Sequence, residues 1–172
     1  EVSRLQIHDL PLKTESLDLS LLLFEIAEQH QDLLEQKGLE LKVTLPDQSI
    51  YLKADKRLLQ RLFNNLFNNL LKYVPGPGSV DLSLSETAES VSLCLRDYGP
   101  GIPESELKDI FTPFHRLEFS RSRRKGGVGL GLAIVWEIIQ AHQGQIEAVL
   151  PDDGAGGMAF MIQLPKEVSK LR

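Results

Sequence analysis

One stretch, Asp55 to Tyr73, narrows the folds open to this chain more than any other. Leu59, Leu62, Phe63, Leu66 and Leu70 recur at helical spacing and fall on a single stripe at 100° per residue. Asp55 is placed to cap the helix, and Pro75-Gly76-Pro77-Gly78 ends it. A helix with one apolar stripe has to cover another layer of structure. Its other residues are unusual. Asn64, Asn65, Asn68 and Asn69 lie inside it, and each Asn costs roughly 0.5–0.7 kcal/mol relative to Ala in a helix. Asn65, Asn69 and Lys72 share an arc about 60° wide along the edge of the stripe. That arc reads either as a solvated polar face or as amide oxygens and an ammonium facing a metal–phosphate group, since Mg²⁺ takes oxygen ligands and keeps several waters.

The flanking sequence supplies the second layer. Leu19–Gln36 has apolar residues at helical spacing and stops at Gly38. Strand patterns follow at Leu39–Leu45 and Ile50–Lys53. After the asparagine-rich helix come two alternating runs, Val80–Ser85 and Ser90–Arg96, which read as an antiparallel hairpin. A short helix is expected around Ser105–Ile110, and an apolar one from about Leu130 to His142, closed by Gly144. Strands at Ile146–Val149 and Met158–Leu164 complete the order. This succession predicts an α+β fold: a two-layer sandwich of a mixed, mostly antiparallel sheet covered on one face by helices. Pro11–Ser16 reads as a linker, so the expected division is 1–16 and 17–172. Trp136, spaced with Leu132 and Ile139, is expected in the core. His30 and His142 are expected on polar faces without partners.

Composition excludes several functions. At 172 residues, with 42% apolar and 25% charged residues, the chain is an ordinary one-domain globular sequence. Its apolar runs fall far short of the roughly 20 residues of a membrane helix, and no signal peptide is evident at Glu1. With 19 Lys and Arg against 24 Asp and Glu, the net charge is −5, which argues against a nucleic-acid partner. Cys94 is the single cysteine and excludes an internal disulfide framework.

Two further segments carry chemistry. Asp97-Tyr98-Gly99-Pro100-Gly101-Ile102 follows a strand directly. It is either a tight turn or a place where glycines admit a planar ring and a buried carboxylate accepts from an exocyclic amine. Gly126-Gly127-Val128-Gly129-Leu130-Gly131-Leu132 opens the last helix. It is either a hinge or a run of exposed N–H groups at a helix N-terminus, where an anion is favoured.

Taken together in this order, the segments resemble the catalytic ATP-binding domain of bacterial sensor histidine kinases, in the wider family with gyrase-type and chaperone ATPases. Asn65–Tyr73 resembles the N box and Asp97–Ile102 the first glycine box. Phe111-Thr112-Pro113-Phe114-His115-Arg116 resembles the F box, with His115 where tyrosine is commoner. Gly127–Leu132 resembles the second glycine box and Gly154–Phe160 the last glycine segment. The resemblance implies ATP and Mg²⁺ as cofactors. Asn69 would coordinate Mg²⁺ with help from Asn65, Lys72 would contact phosphate, and Tyr73 would lie near the ribose or phosphates. Asp97 would accept from the adenine amine, with Gly99, Gly101 and Ile102 around the ring. Arg116 would reach the γ-phosphate from a mobile ATP lid, and Gly127, Val128, Gly129, Leu130, Gly131 and Leu132 would line the phosphates.

The implied activity is transfer of the γ-phosphoryl group to a histidine on a separate dimerisation domain, whose tail would be residues 1–16. His8-Asp9-Leu10 resembles the start of a phosphoacceptor motif, but Pro11 follows at once. The implied partners are that domain and a cognate response regulator. The full-length protein would be a membrane-anchored homodimer with this domain in the cytoplasm. The alternatives are a nucleotide-binding regulatory module or an ATPase of the same superfamily. ATPase relatives carry a glutamate base one turn before the metal-binding Asn. Here that position is Asn65, whose neutral amide has no useful basicity.

Overall fold

The computed structural model describes residues 11–113 and 131–170. The two alternating runs form the centre of a five-stranded sheet, as their period-two pattern requires. Its strands are β2 (Leu39–Thr44), β4 (Gly78–Glu86), β5 (Ser90–Asp97), β6 (Gln145–Val149) and β7 (Met158–Pro165), in the order β2-β4-β5-β7-β6. Only β2 and β4 run parallel; every other pair is antiparallel. A separate two-stranded ribbon pairs β1 (Glu15–Asp18) with β3 (Tyr51–Ala54). β1 therefore takes in Glu15 and Ser16, the last residues of the stretch that reads as a linker.

The sheet has one apolar face. Val80, Leu82, Leu84, Val91, Leu93, Leu95, Phe160, Ile162 and Leu164 are buried, whereas Ser83, Ser85, Met161 and Gln163 alternate with them and are exposed. Helices α1 (Leu19–Gln36), α2 (Lys56–Tyr73) and α3 (Gly131–Ala141) share one continuous core with the buried face. The α+β two-layer expectation holds. Leu59, Leu62, Phe63, Leu66 and Leu70, the stripe read from the sequence, are all buried. Each such side chain contributes roughly 1.5–3 kcal/mol on leaving water. Among the described residues, no helix is long and apolar enough to cross a membrane.

Three local expectations change. The segment near Ser105 forms only a 3₁₀ turn, Glu104–Glu106. Trp136 is 38% exposed and rests against Phe111, with ring centroids 5.7 Å apart. The two histidines are buried and partnered. His30 stacks on Phe67 at 5.0 Å and its Nδ1 lies 2.9 Å from the Ile26 carbonyl. His142 is 2% exposed. It sits between Ile138, whose carbonyl is 2.8 Å from Nδ1, and Asp55, whose backbone N–H donates to Nε2 at 3.1 Å. Helical periodicity placed both residues on a polar side, but the neighbouring helix and the capping loop close over that side.

The His142 contacts require a neutral ring, with Nδ1 donating and Nε2 accepting. Burial also lowers its pKa below the usual 6.5, against the smaller effects of the Ile138 carbonyl and the Asp55 charge. The neutral form is thus preferred on folding, so the contribution to stability is full above about pH 6.5 and is lost as pH falls through the lower folded value. We expect stability, measured by urea unfolding at pH 7, 6 and 5, to fall across this window. His142→Gln should flatten that dependence by up to about 1.4 kcal/mol per pH unit, the value for one proton. An unchanged slope would show that other groups control it.

Candidate functional site

The C-terminal half of α2 forms one wall of the site. Asn65 donates from Nδ2 to the Arg61 carbonyl at 2.8 Å, which turns Oδ1 away from its own backbone. That oxygen faces the first residue of α3: a β-carbon built on Gly131 would stand 3.5 Å from it. Asn69, one turn further on, is half-buried, as are Tyr73 and Leu132, while Lys72 is exposed in the last turn. Asn69 makes no side-chain hydrogen bond among the described residues. Its neighbour on the arc thus presents an oxygen to the start of α3, and Asn69 is available to outside ligands.

The end of β5 meets the C-terminal end of α2 and forms the second part of the site. Asp97 is the last residue of the strand and is 6% exposed. Its Oδ1 accepts from the Gly99 N–H at 2.9 Å. Burial pushes its carboxyl above the ordinary carboxylate value, opposed by the N–H groups of Gly99 and Met158 and by the Arg96 charge. Close approach explains the glycines. A β-carbon on Gly99 would lie 3.2 Å from Asp97 Oδ1 and 3.4 Å from Val74, just beyond α2. On Gly157 it would lie 2.0 Å from the Asp97 carbonyl oxygen, which no side chain allows. Gly101 has φ +68° and faces the Gly157 carbonyl. Ile102 is half-buried against the core.

The asparagine arc and the Asp97 cup thus lie along the same helix. From Asn65, beside Gly131, to Val74, beside Gly99, is about 13 Å at 1.5 Å per residue. An elongated ligand with an amine at one end and an anion at the other fits this span chemically. The donors suit a hard cation at the anionic end, because amide oxygens are neutral oxygen ligands. Among the described residues, no three His, Cys, Asp or Glu side chains converge on one point, so such a cation would take much of its shell from its ligand and water.

The structure brings Asn65 against Gly131, and Asp97 together with Gly99 and, through Gly157, with Gly101. Asn69, Lys72 and Tyr73 lie between these groups on α2, Leu132 follows Gly131 on α3, and Ile102 follows Gly101. Arg116, Gly127, Val128, Gly129 and Leu130, together with the expected lid, lie outside the described residues. Sequence reasoning missed two site neighbours, Arg96 and Asp153. They form a forked ion pair in which Arg96 Nη2 donates to Asp153 Oδ1 at 2.8 Å and Nη1 to Oδ2. Nothing in local sequence pairs residues on different strands and loops; strand register alone does.

Residues 54–168 match the model of the family described as histidine kinase-, DNA gyrase B-, and HSP90-like ATPase. The signal transduction histidine-protein kinase BaeS of Escherichia coli (strain K12) is 38% identical over 131 residues, covering 76% of this chain and 27% of that protein. This chain thus spans about a quarter of the length of that curated relative. The solved mycobacterial sensor histidine kinase MprB is 27% identical, with a TM-score of 0.74 over 91% of this chain and 99% of that one. Histidine kinase ThkA, solved in complex with response regulator protein TrrA, shares the fold. Its TM-score is 0.77 at 21% identity, over 93% of this chain and 44% of that one.

The raised Asp97 pKa has a stability consequence. A carboxyl whose folded pKa lies above its unfolded value favours the folded state below the unfolded pKa, and this contribution is lost as pH rises through the folded value. At pH 7 the ionised group therefore opposes folding. Asp97→Asn, which keeps the shape and an acceptor oxygen, should raise the Tm of the ligand-free chain at pH 7. The gain should shrink towards pH 3. Paired thermal melts at the two pH values check this; a lower Tm at pH 7 would contradict it.

Proposed function

Because the chain belongs to the histidine kinase-, DNA gyrase B-, and HSP90-like ATPase family, we propose that it is the ATP-binding catalytic domain of a sensor histidine kinase. The single observation that carries this reading is the arrangement along α2: a buried carboxylate in a glycine cup at one end and the Asn65 amide oxygen beside Gly131 of α3 at the other. Asp97 then accepts from the adenine amine, with Gly99, Gly101 and Ile102 against the ring. Asn69 and Asn65 hold Mg²⁺ or its water, Lys72 contacts phosphate, and Tyr73 lies by the ribose or phosphates. The metal, bound to phosphate oxygens, would neutralise charge developing on the transferred group. Gly131 and Leu132, with Gly127 to Leu130, line the phosphates.

Phosphoryl transfer depends on positioning and charge stabilisation more than on a base. Asn65, where an ATPase would carry a general base, supports kinase over ATPase chemistry on that ground. Arg116 is the electrostatic stabiliser of the transferring group. Residues 17–172 are the catalytic domain, and 1–16 the tail of the dimerisation hairpin and the linker, whose last residues pair into the small ribbon. The acceptor histidine belongs to that hairpin, and a response regulator receives the phosphoryl group in turn. The parent protein is a membrane-anchored homodimer with this domain on the cytoplasmic side.

Incubated with γ-labelled ATP and Mg²⁺, the 172-residue chain should stay unlabelled and should label an added hairpin fragment carrying the acceptor histidine. Stable self-labelling at His8 would overturn this. Asn69→Ala should remove most of the Mg²⁺ contribution to ATP affinity in titrations with and without the metal. Arg116→Ala should bind ATP within about threefold of the parent yet transfer roughly a hundredfold more slowly in single turnover, because it acts on charge present only in the transition state. Normal transfer by Arg116→Ala would reassign the role to another lid cation, Arg123 or Arg124.

A further inference from the structure

The Asp97 cup has a back. Residue alternation along β5 turns Asp97 inward and Arg96 to the outer face of the sheet. On that outer face Arg96 spans from the strand to the loop joining β6 to β7. It forks onto Asp153 and also donates from Nη2 to the Gly156 carbonyl at 3.0 Å. Among the described residues, the loop's side-chain hydrogen bonds to the rest of the fold run to Arg96. The loop needs such a tether, because Gly154, Gly156 and Gly157 all have φ between +74° and +80°, and glycine carries the largest backbone entropy to be lost on ordering. The loop is also the outer wall of the cup. Gly157 packs on the Asp97 backbone and faces Gly101, and the Met158 N–H that follows it favours the Asp97 charge.

The other half of the cup is tied to the same arginine. The Arg96 guanidinium lies over the Tyr98 ring, 4.4 Å from its centroid. The Tyr98 hydroxyl donates to Asp81 Oδ2 at 2.6 Å, anchoring the Tyr98–Gly101 turn to β4. A chain of polar contacts, Asp81–Tyr98–Arg96–Asp153, thus runs behind Asp97 and joins the two glycine segments that enclose it.

We infer that Arg96 and Asp153 are positioning residues for base recognition: their fork and the stacked Tyr98 hold the two glycine segments at the spacing that presents Asp97 to a purine amine. The inference rests on the reading of Asp97 as the acceptor for adenine. The pair is partly in water, with the Arg96 side chain 13% exposed and that of Asp153 48%, so it adds modestly to global stability and its main effect is on the two glycine segments that it ties. The planar, two-pronged geometry also makes arginine specific here: lysine keeps the charge but loses both the fork and the stacking.

The test uses ATP and inosine triphosphate, which carries a carbonyl oxygen in place of the amine, each with Mg²⁺, by calorimetry on the 172-residue chain. The parent chain should prefer ATP. Arg96→Lys and Asp153→Asn should each reduce that preference about three- to tenfold, through weaker ATP binding, with inosine triphosphate affinity and ligand-free Tm nearly unchanged. Asp153→Glu should recover part of the preference. Should Arg96→Lys fail to fold, Asp153→Asn, at a half-exposed carboxylate, carries the test alone. A parent preference retained in full by the variants overturns the positioning role. Equal losses for both nucleotides with a fallen Tm overturn it too, in favour of a purely structural fork. A parent that does not distinguish the two nucleotides removes the underlying reading of Asp97, and the inference with it.

Discussion

A carboxylate at a strand end, almost out of water, is the constraint around which the site is organised. Desolvation disfavours its charge, and the fold answers chiefly with backbone N–H groups: that of Gly99, which donates to Oδ1, and the nearby one of Met158. The backbone closes in on the group, and that closeness dictates glycine at 157 and leaves little room for a side chain at 99. The carboxyl still ends above its ordinary pKa, so the compensation is incomplete. An acceptor held under-satisfied is one that a ligand's donor can complete.

The same logic accounts for the asparagines. Four of them weaken α2 by propensity, on the order of 2–3 kcal/mol in sum, and Gly131 weakens the start of α3. The buried stripe of α2, packed in one core with α1, α3 and the sheet, more than offsets this. Local preference is overridden here by packing, the pattern that proteins show at functional sites.

A polar junction joins the ends of this arrangement. Asp55 caps α2 through Leu58, accepts from the Lys13 N–H, and donates its own N–H to His142 just beyond α3. Lys13 ahead of β1, the helix bearing the asparagines and the end of α3 therefore meet at one residue.

The sequence by itself determined the layers and singled out the candidate site residues. The stripe from Leu59 to Leu70, the alternation in β4 and β5 and the Asp55 cap are local patterns whose periods match the geometry of helix and strand. The asparagines and the acidic glycine turn stood out because they violate local preference. The tertiary structure decided what lies between elements. Exposure of Trp136, burial of His30 and His142, and the pairing of Arg96 with Asp153 depend on register and on which neighbour covers a face. These contacts join residues as far as 87 positions apart, as Asp55 and His142 show, and no periodicity within one element encodes them.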